Sequence, residues 1–444
     1  MSVLPVPRLR HTLAAVLAAA CALPPAASAS AAPARAGDVV AGEVVVRHAG
    51  QAPRVLEGVH DVAETVRRLR ARDDVVYAAP NPVARAAEFV PNDPGRGEGW
   101  EKVQWNFLSE WGVNAPDAWQ HAIDAGAPGG RGVRIAVLDS GVAYSDRGRY
   151  RRSPDLDRTR FVRGWDFVGR DPYPNDENGH GTHVVSTIAE STNNATGLTG
   201  LAYGATIMPV RVLDREGAGD AAVIARAIRW AVDQDVDLIN LSLEFGIEVP
   251  ASLIPSVLEA LAYAREQGVL VIGASGNEGE QLLAFPARSN NVLAVGATTE
   301  HGCLSNYSNL GRGLDIVAPG GGRDAFTDDP HCQPDATPGR SIIQLTLFPS
   351  KQTRSFGYSR SYFGTSMAVP HVTAAAALVI ATKTAGENPT PDALIARLKG
   401  TARDLGTMGP DRAYGAGLLD AAAATDPALT IPASTARATR TKGT

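Results

Sequence analysis

The chain has 444 residues, of which 44% are apolar and 20% charged, and a formal net charge of -5. This is ordinary globular composition and excludes collagenous, low-complexity and multi-span membrane chains. So weak a charge gives neither a basic stripe nor an acidic tail, and no nucleic-acid partner is expected.

In chain order, Arg8, Arg10 and His11 precede an apolar run from Leu13 to Leu23 that is too short to cross a bilayer. Ala27-Ser28-Ala29 then offers the small residues of a cleavage site. Residues 1–29 are predicted to be a signal peptide, giving a secreted, extracellular product with no membrane attachment. Cys21 follows Ala18-Ala19-Ala20 and lacks the neighbouring Leu that lipoprotein signals carry. Removal of the signal leaves Cys303 and Cys332, an even count in an oxidising compartment, and these two are predicted to form a disulfide.

Residues 38–83 read as a small α+β unit. A strand Glu43–Val46 is followed by an amphipathic helix Val62–Leu69 and a strand Val75–Tyr77, and Pro80-Asn81-Pro82 ends it. Residues 86–104 are polar and rich in Pro and Gly, as a processing linker would be. From Val133 onward, short aliphatic runs alternate with helical stretches. The predicted strands are Val133–Leu138, Thr206–Val212, Leu238–Leu241, Val269–Ile272 and Val292–Val295, with helices at Ala221–Asp233 and Ile254–Gln267. Continuous apolar strands separated by amphipathic helices predict an α/β fold, a parallel sheet with helices on both faces. Ligands bind such sheets beyond the carboxyl ends of the strands, where Asp139, Ser242 and Ser275-Gly276-Asn277 fall. Residues 426–444 have no apolar period and read as a disordered tail.

Three segments carry chemistry. Ile135 to Gly141 puts Asp139 at the end of a buried strand, with Gly141 permitting a tight exit. Asn178 to Val184 sets His180 among glycines at a helix start, and Gly364 to Pro370 places Ser366 at the head of an Ala-rich helix. A serine hydroxyl needs a base to take its proton as it attacks a carbonyl, and an imidazole held by a buried carboxylate supplies one. A Ser before a helix can equally be a cap, and a strand-end Asp a local hydrogen-bonder. Together, however, the three flanks resemble the signature segments of the subtilisin-like serine proteases, in the order Asp, His, Ser. The resemblance spans about residues 104 to 423 and implies a triad of Asp139, His180 and Ser366.

It implies more about the site. Ala274 to Gly279 is similar to the family segment whose Asn donates to the tetrahedral oxyanion, which assigns Asn277 that role. Substrate would lie as an extended strand against Ser242-Leu243-Glu244 and Gly217-Ala218-Gly219. Ala284 stands where many relatives have Gly at the floor of the primary pocket, and Glu244 where they often have Gly at its rim. A methyl would shorten the pocket and a carboxylate would attract basic side chains; a broad endopeptidase with a weak apolar preference is expected. Residues 30–95 would be a propeptide and linker, cut by the enzyme itself between Ala86 and Trp100, ahead of a peptidase domain over 96–425; the expected partners are polypeptide substrates and the propeptide, with the mature enzyme a monomer. The weighed alternatives are an inactive peptide-binding pseudo-protease and an acid-active sedolisin-like peptidase, which uses Glu in place of His.

A structural calcium site also follows from the resemblance. The loop Thr192 to Leu198 is polar and contains a glycine, and calcium takes about six to eight oxygen ligands. Gln104, Asp155 in Pro154-Asp155-Leu156, and Asn194 are expected as side-chain ligands, with Thr196 and Leu198 giving carbonyls. His183, His371 and the Gly320-Gly321-Gly322 loop are read as structural.

Overall fold

The computed structural model describes residues 39–82, 89–108, 110–325, 330–334, 339–348 and 355–431. The expected signal peptide and most of the tail, residues 432–444, lie outside the described residues. The chain divides into two compact units after Ala87.

In the first unit the strand Val39–His48 lies between Arg54–Leu56 and Val75–Pro82, antiparallel to both. Alternate residues Val44 and Val46 point inward and pack with Val66, Leu69 and Ala78. The helix Val62–Arg70 starts at Asp61, whose carboxylate accepts the Glu64 N–H at 2.8 Å, and it ends with Arg67, Arg68 and Arg70 at the negative end of its dipole. The last strand extends beyond the expected Tyr77, passing through Pro80 and ending at Pro82. That strand is at the sheet edge, where a missing N–H breaks no second ladder.

The second unit is built on a parallel sheet. Its order is Ile316–Pro319, Val292–Thr298, Leu270–Ala274, Leu238–Leu241, Arg134–Asp139, Thr206–Arg211 and Arg160–Phe161, with Trp165–Asp166 also pairing the Thr206 strand. Residues alternate between two faces. Ile135 and Val137 enter the core beneath the helices His180–Ala189 and Thr365–Thr382, while Ala136 and Leu138 pack with Ala221–Val232 and Pro255–Glu266. From the Arg134–Asp139 strand the chain first adds a neighbour on one side, then builds outward on the other. The strand order therefore reverses there, and the crevice at its carboxyl end is the expected ligand site.

Thr365–Thr382 passes through the middle of this core. It is long and apolar enough to cross a membrane by composition, yet 78% of it is buried inside the unit. The segment read as a linker over 86–104 needs correction from Phe89 onward. Trp100 is 2% exposed and stacks edge-on to Trp119 at 5.4 Å, and buried Asp93 accepts the N–H groups of Asn193 and Asn194. Pro, Gly and polar residues dominate that stretch by number, but one buried tryptophan decides where it packs.

Candidate active site

Asp139 is the last residue of its strand and fully buried. The chain can turn away at once because Gly141 sits at φ 100°, where a Cβ would lie 2.7 Å from the Asn175 carbonyl. One Asp139 oxygen, Oδ1, takes both the Ser140 N–H and His180 Nδ1, each at 2.7 Å. Its other oxygen, Oδ2, is buried without a hydrogen-bond partner. His180 opens the helix His180–Ala189. Burial disfavours the imidazolium, but the Asp139 charge and hydrogen bond, with Asp176 adding to the field, outweigh it and hold His180 above its ordinary pKa.

Asp176 was not anticipated. It is buried and accepts from Ser140 Oγ at 2.9 Å, Thr182 Oγ1 at 2.6 Å and the N–H groups of Asn178 and Gly179 at 2.9 Å. It thereby ties the Asp139 turn to the His180 helix. Its only sequence signal is an Asp ahead of a helix start, which is common at caps.

Ser366 is the second residue of Thr365–Thr382. Gly364 precedes it at φ 152°, and the Thr365 N–H and Oγ1 both donate to Asn277 Oδ1, at 2.8 and 3.1 Å. That fixes the Asn277 amide with Nδ2 on the other side, where it donates to Glu244 Oε1 at 3.1 Å. Ser366 Oγ itself donates to the Ser242 carbonyl at 3.1 Å rather than to His180. Both nevertheless line one cavity of about 470 Å³.

The same cavity is lined by Gly217, Ala218, Gly219, Ser242, Leu243 and Glu244, so six of the seven expected substrate-binding residues meet there. Ala284 does not line it. It is buried, and its N–H donates to the Ser275 carbonyl at 2.8 Å. Burial, partly offset by Asn277 and reinforced by the charge of Glu278, pushes the Glu244 carboxyl up to about 7.

His183 and His371 are structural, as read. His183 stacks on Tyr362 at 4.3 Å and meets the Ile342 carbonyl at 3.0 Å, and burial lowers its pKa to about 3. His371 is held between Met367 O and Asn106 Nδ2, both at 2.8 Å. Cys303 and Cys332 are joined in a disulfide.

Of the expected calcium ligands, Asp155, Asn194 and Leu198 come together: Asn194 Nδ2 and the Leu198 N–H donate to the two Asp155 oxygens at 3.0 and 2.7 Å. The Thr196 N–H donates to Asn194 Oδ1 at 3.0 Å. Gln104 is turned to Thr199, giving Nε2 to its carbonyl at 2.7 Å and taking its N–H at 3.1 Å. Among the described residues no group of three or more His, Cys, Asp and Glu side chains converges as a metal-ligand set. Burial raises Asp155 to about 7, and burial with Asp155 nearby raises Glu190 well above the carboxylate range. Glu190, which the sequence reading passed over, keeps Oε1 buried and unpartnered.

A parallel sheet with a serine, an imidazole and a carboxylate gathered at its carboxyl-end crevice defines a serine hydrolase of the α/β class. Sequence comparison makes this specific. The model of the subtilase family matches residues 130–417, and the chain belongs to that family. It is 36% identical to subtilisin Savinase from Lederbergia lenta over 71% of this chain and 98% of that one. It is 35% identical to thermitase from Thermoactinomyces vulgaris over 66% and 85%. A solved protease from Pseudoalteromonas arctica PAMC 21717 superposes with a TM-score of 0.61 and 31% identity, over 76% of this chain and 99% of that one. The chain is a serine endopeptidase with the subtilisin fold.

Proposed function

We propose that this is a secreted endopeptidase, made as a precursor, that cleaves polypeptides with Asp139, His180 and Ser366 through an acyl-enzyme. The observation that carries the reading is the 2.7 Å contact of His180 Nδ1 with Asp139 Oδ1 beside a cavity that Ser366 also lines. Asp139 would hold His180 with Nε2 free to take the Ser366 proton and would stabilise the cation that forms. The Ser366 bond to the Ser242 carbonyl suits a resting enzyme, since catalytic hydrogen bonds often tighten only with substrate bound. Asn277 Nδ2 would face the oxyanion, and an extended peptide would run along Ser242–Glu244 and Gly217–Gly219. The N-terminal unit would act as a propeptide, released by self-cleavage between Ala86 and Trp100, to leave a monomer. A fluorophosphonate probe should label Ser366 in the mature protein, and Ser366→Ala precursor should stay uncut in a protease-free host. Absence of labelling would leave a peptide-binding pseudo-protease.

Calcium belongs to the same reading. The buried Asp155–Glu190 pair, with an unpartnered Glu190 oxygen, is held toward its neutral forms by burial, and a divalent cation would favour the ionised carboxylates in a loop rich in oxygens. Asp155, Asn194 and Gln104 would hold the ion with the Thr196 and Leu198 carbonyls, and its role would be to fasten the loop. Active-site-blocked protein should then melt higher with calcium than with chelator. An equal midpoint, with no calcium by elemental analysis, would remove the site.

A further inference from the structure

Among the residues lining the cavity beside Ser366, only His180 and Glu244 can carry charge; the rest are Asn178, Ser242, Ser366 and Gly, Ala, Leu, Ile or Phe. Glu244 is the one carboxylate among the described residues lining this cavity. One of its oxygens already receives Asn277 Nδ2, and the other, Oε2, is enclosed without a partner. An ionised oxygen shut away without a donor is unfavourable, and the nearest donor the cavity can acquire is one brought by substrate. The terminal torsion of glutamate is broad, so a small turn of the carboxylate presents Oε2 to an incoming group.

We propose that Glu244, beside Asn277, determines specificity, selecting Lys or Arg as the residue whose carbonyl is attacked. This rests on the catalytic reading above. Asn277, which would hold the oxygen of that carbonyl, is 3.1 Å from Glu244, so the side chain branching from the same residue is the one within reach. The carboxylate takes the cationic end of that side chain, and its aliphatic stem needs no polar partner. This differs from the weak apolar preference expected from the sequence, and the experiment below decides between them.

The choice is pH-dependent. With its pKa near 7, Glu244 is ionised and attracts cations above neutrality and is neutral below it. Two other titratable groups face this place. Glu278 accepts the Asn277 N–H at 3.0 Å and adds negative charge, while His180 acts on every substrate alike.

The experiment compares kcat/KM for fluorogenic peptides that differ only in Arg or its uncharged isostere citrulline before the cut. The mature enzyme should prefer Arg by about 10- to 100-fold at pH 8.5, as a charge-assisted bond confers. That ratio should fall toward one at pH 6, and in Glu244→Gln it should be near one throughout. A ratio near one in the unmodified enzyme at pH 8.5, or an Arg preference undiminished in Glu244→Gln, would overturn the proposal. If Glu244→Gln fails to mature, the pH series on the unmodified enzyme decides. If neither peptide is cut and Ser366 takes no fluorophosphonate, the catalytic reading falls first and this one with it.

Discussion

Replacing Asp139 by Asn separates the two things a triad carboxylate does, fixing the imidazole and supplying charge. In serine proteases whose amide turns its nitrogen to the imidazole, the wrong tautomer results and turnover falls about 10⁴-fold. Here both donors, the Ser140 N–H and His180 Nδ1, converge on Oδ1 at 2.7 Å, and Oδ2 has no partner. An asparagine can therefore keep its oxygen on both and place its nitrogen where Oδ2 was. The tautomer survives and only the charge is lost. A close opposite charge moves a pKa by roughly 1–3 units, about 1.4–4 kcal/mol, so kcat/KM should fall by about 10- to 10³-fold. The acid limb of the pH profile gives a second readout. His180 lies above its ordinary value, so activity rises with pH through a point above 6.5; in Asp139→Asn that point should move down, because the charge that favours the cation is gone. The assay uses precursor matured by tagged unmodified enzyme that is then removed. A loss of about 10⁴, equal to that of Asp139→Ala and without the shift of the limb, would refute the reasoning.

Asn277→Ala should lower turnover by roughly 10²–10³, the range found when this family loses its oxyanion amide, while substrate KM changes little; an unaltered kcat would put the oxyanion elsewhere. The Cys303–Cys332 bond closes a separation of 29 residues, for which chain entropy gives about 3.6 kcal/mol. Denatured mature protein should show no free thiol before reduction and two after it, and Cys303→Ser should melt lower. Trp100→Ala, in a Ser366→Ala background, should cost about 3–5 kcal/mol because the ring is buried against Trp119. An unchanged melting midpoint would return residues 89–104 to a linker.

The sheet was legible because its strands are buried on both faces: Leu238–Leu241 was bounded to the residue, and the Ala221 and Pro255 helices to within one or two. Elements with weaker patterns were missed. Ile316–Pro319 ends in a proline and lies at the sheet edge, and Leu345–Leu347 and Phe356–Tyr358 are three residues each. Thr365–Thr382 is apolar all round, so its periodicity is flat, and only its Ala-rich start was read. Asp139, His180, Ser366 and Asn277 could be proposed from the sequence because each sits in a motif whose flanking glycines force a local backbone.

Asp176 and Glu190, which were not anticipated, and Glu244, whose partners were not, show why the remainder of the site was hidden. Each is a carboxylate in an unremarkable local sequence, and each matters through groups far along the chain. Asp176 is bound by Ser140, Glu190 is raised by burial and then by Asp155, and Glu244 is held by Asn277. Motifs encode what the backbone does within a few residues, whereas the cost of burying a charge depends on which distant donors the fold delivers to it. Glu244 is the instructive case. Its position suggested a pocket rim and an attraction for basic side chains; the structure adds that one of its oxygens receives Asn277 Nδ2 and the other has no donor. A family resemblance transfers the parts of the reaction that all members share. What distinguishes this member, the side chain it selects, is written in the departure from the shared pattern, and the energetics of that departure exist only once Glu244 and Asn277 are folded together.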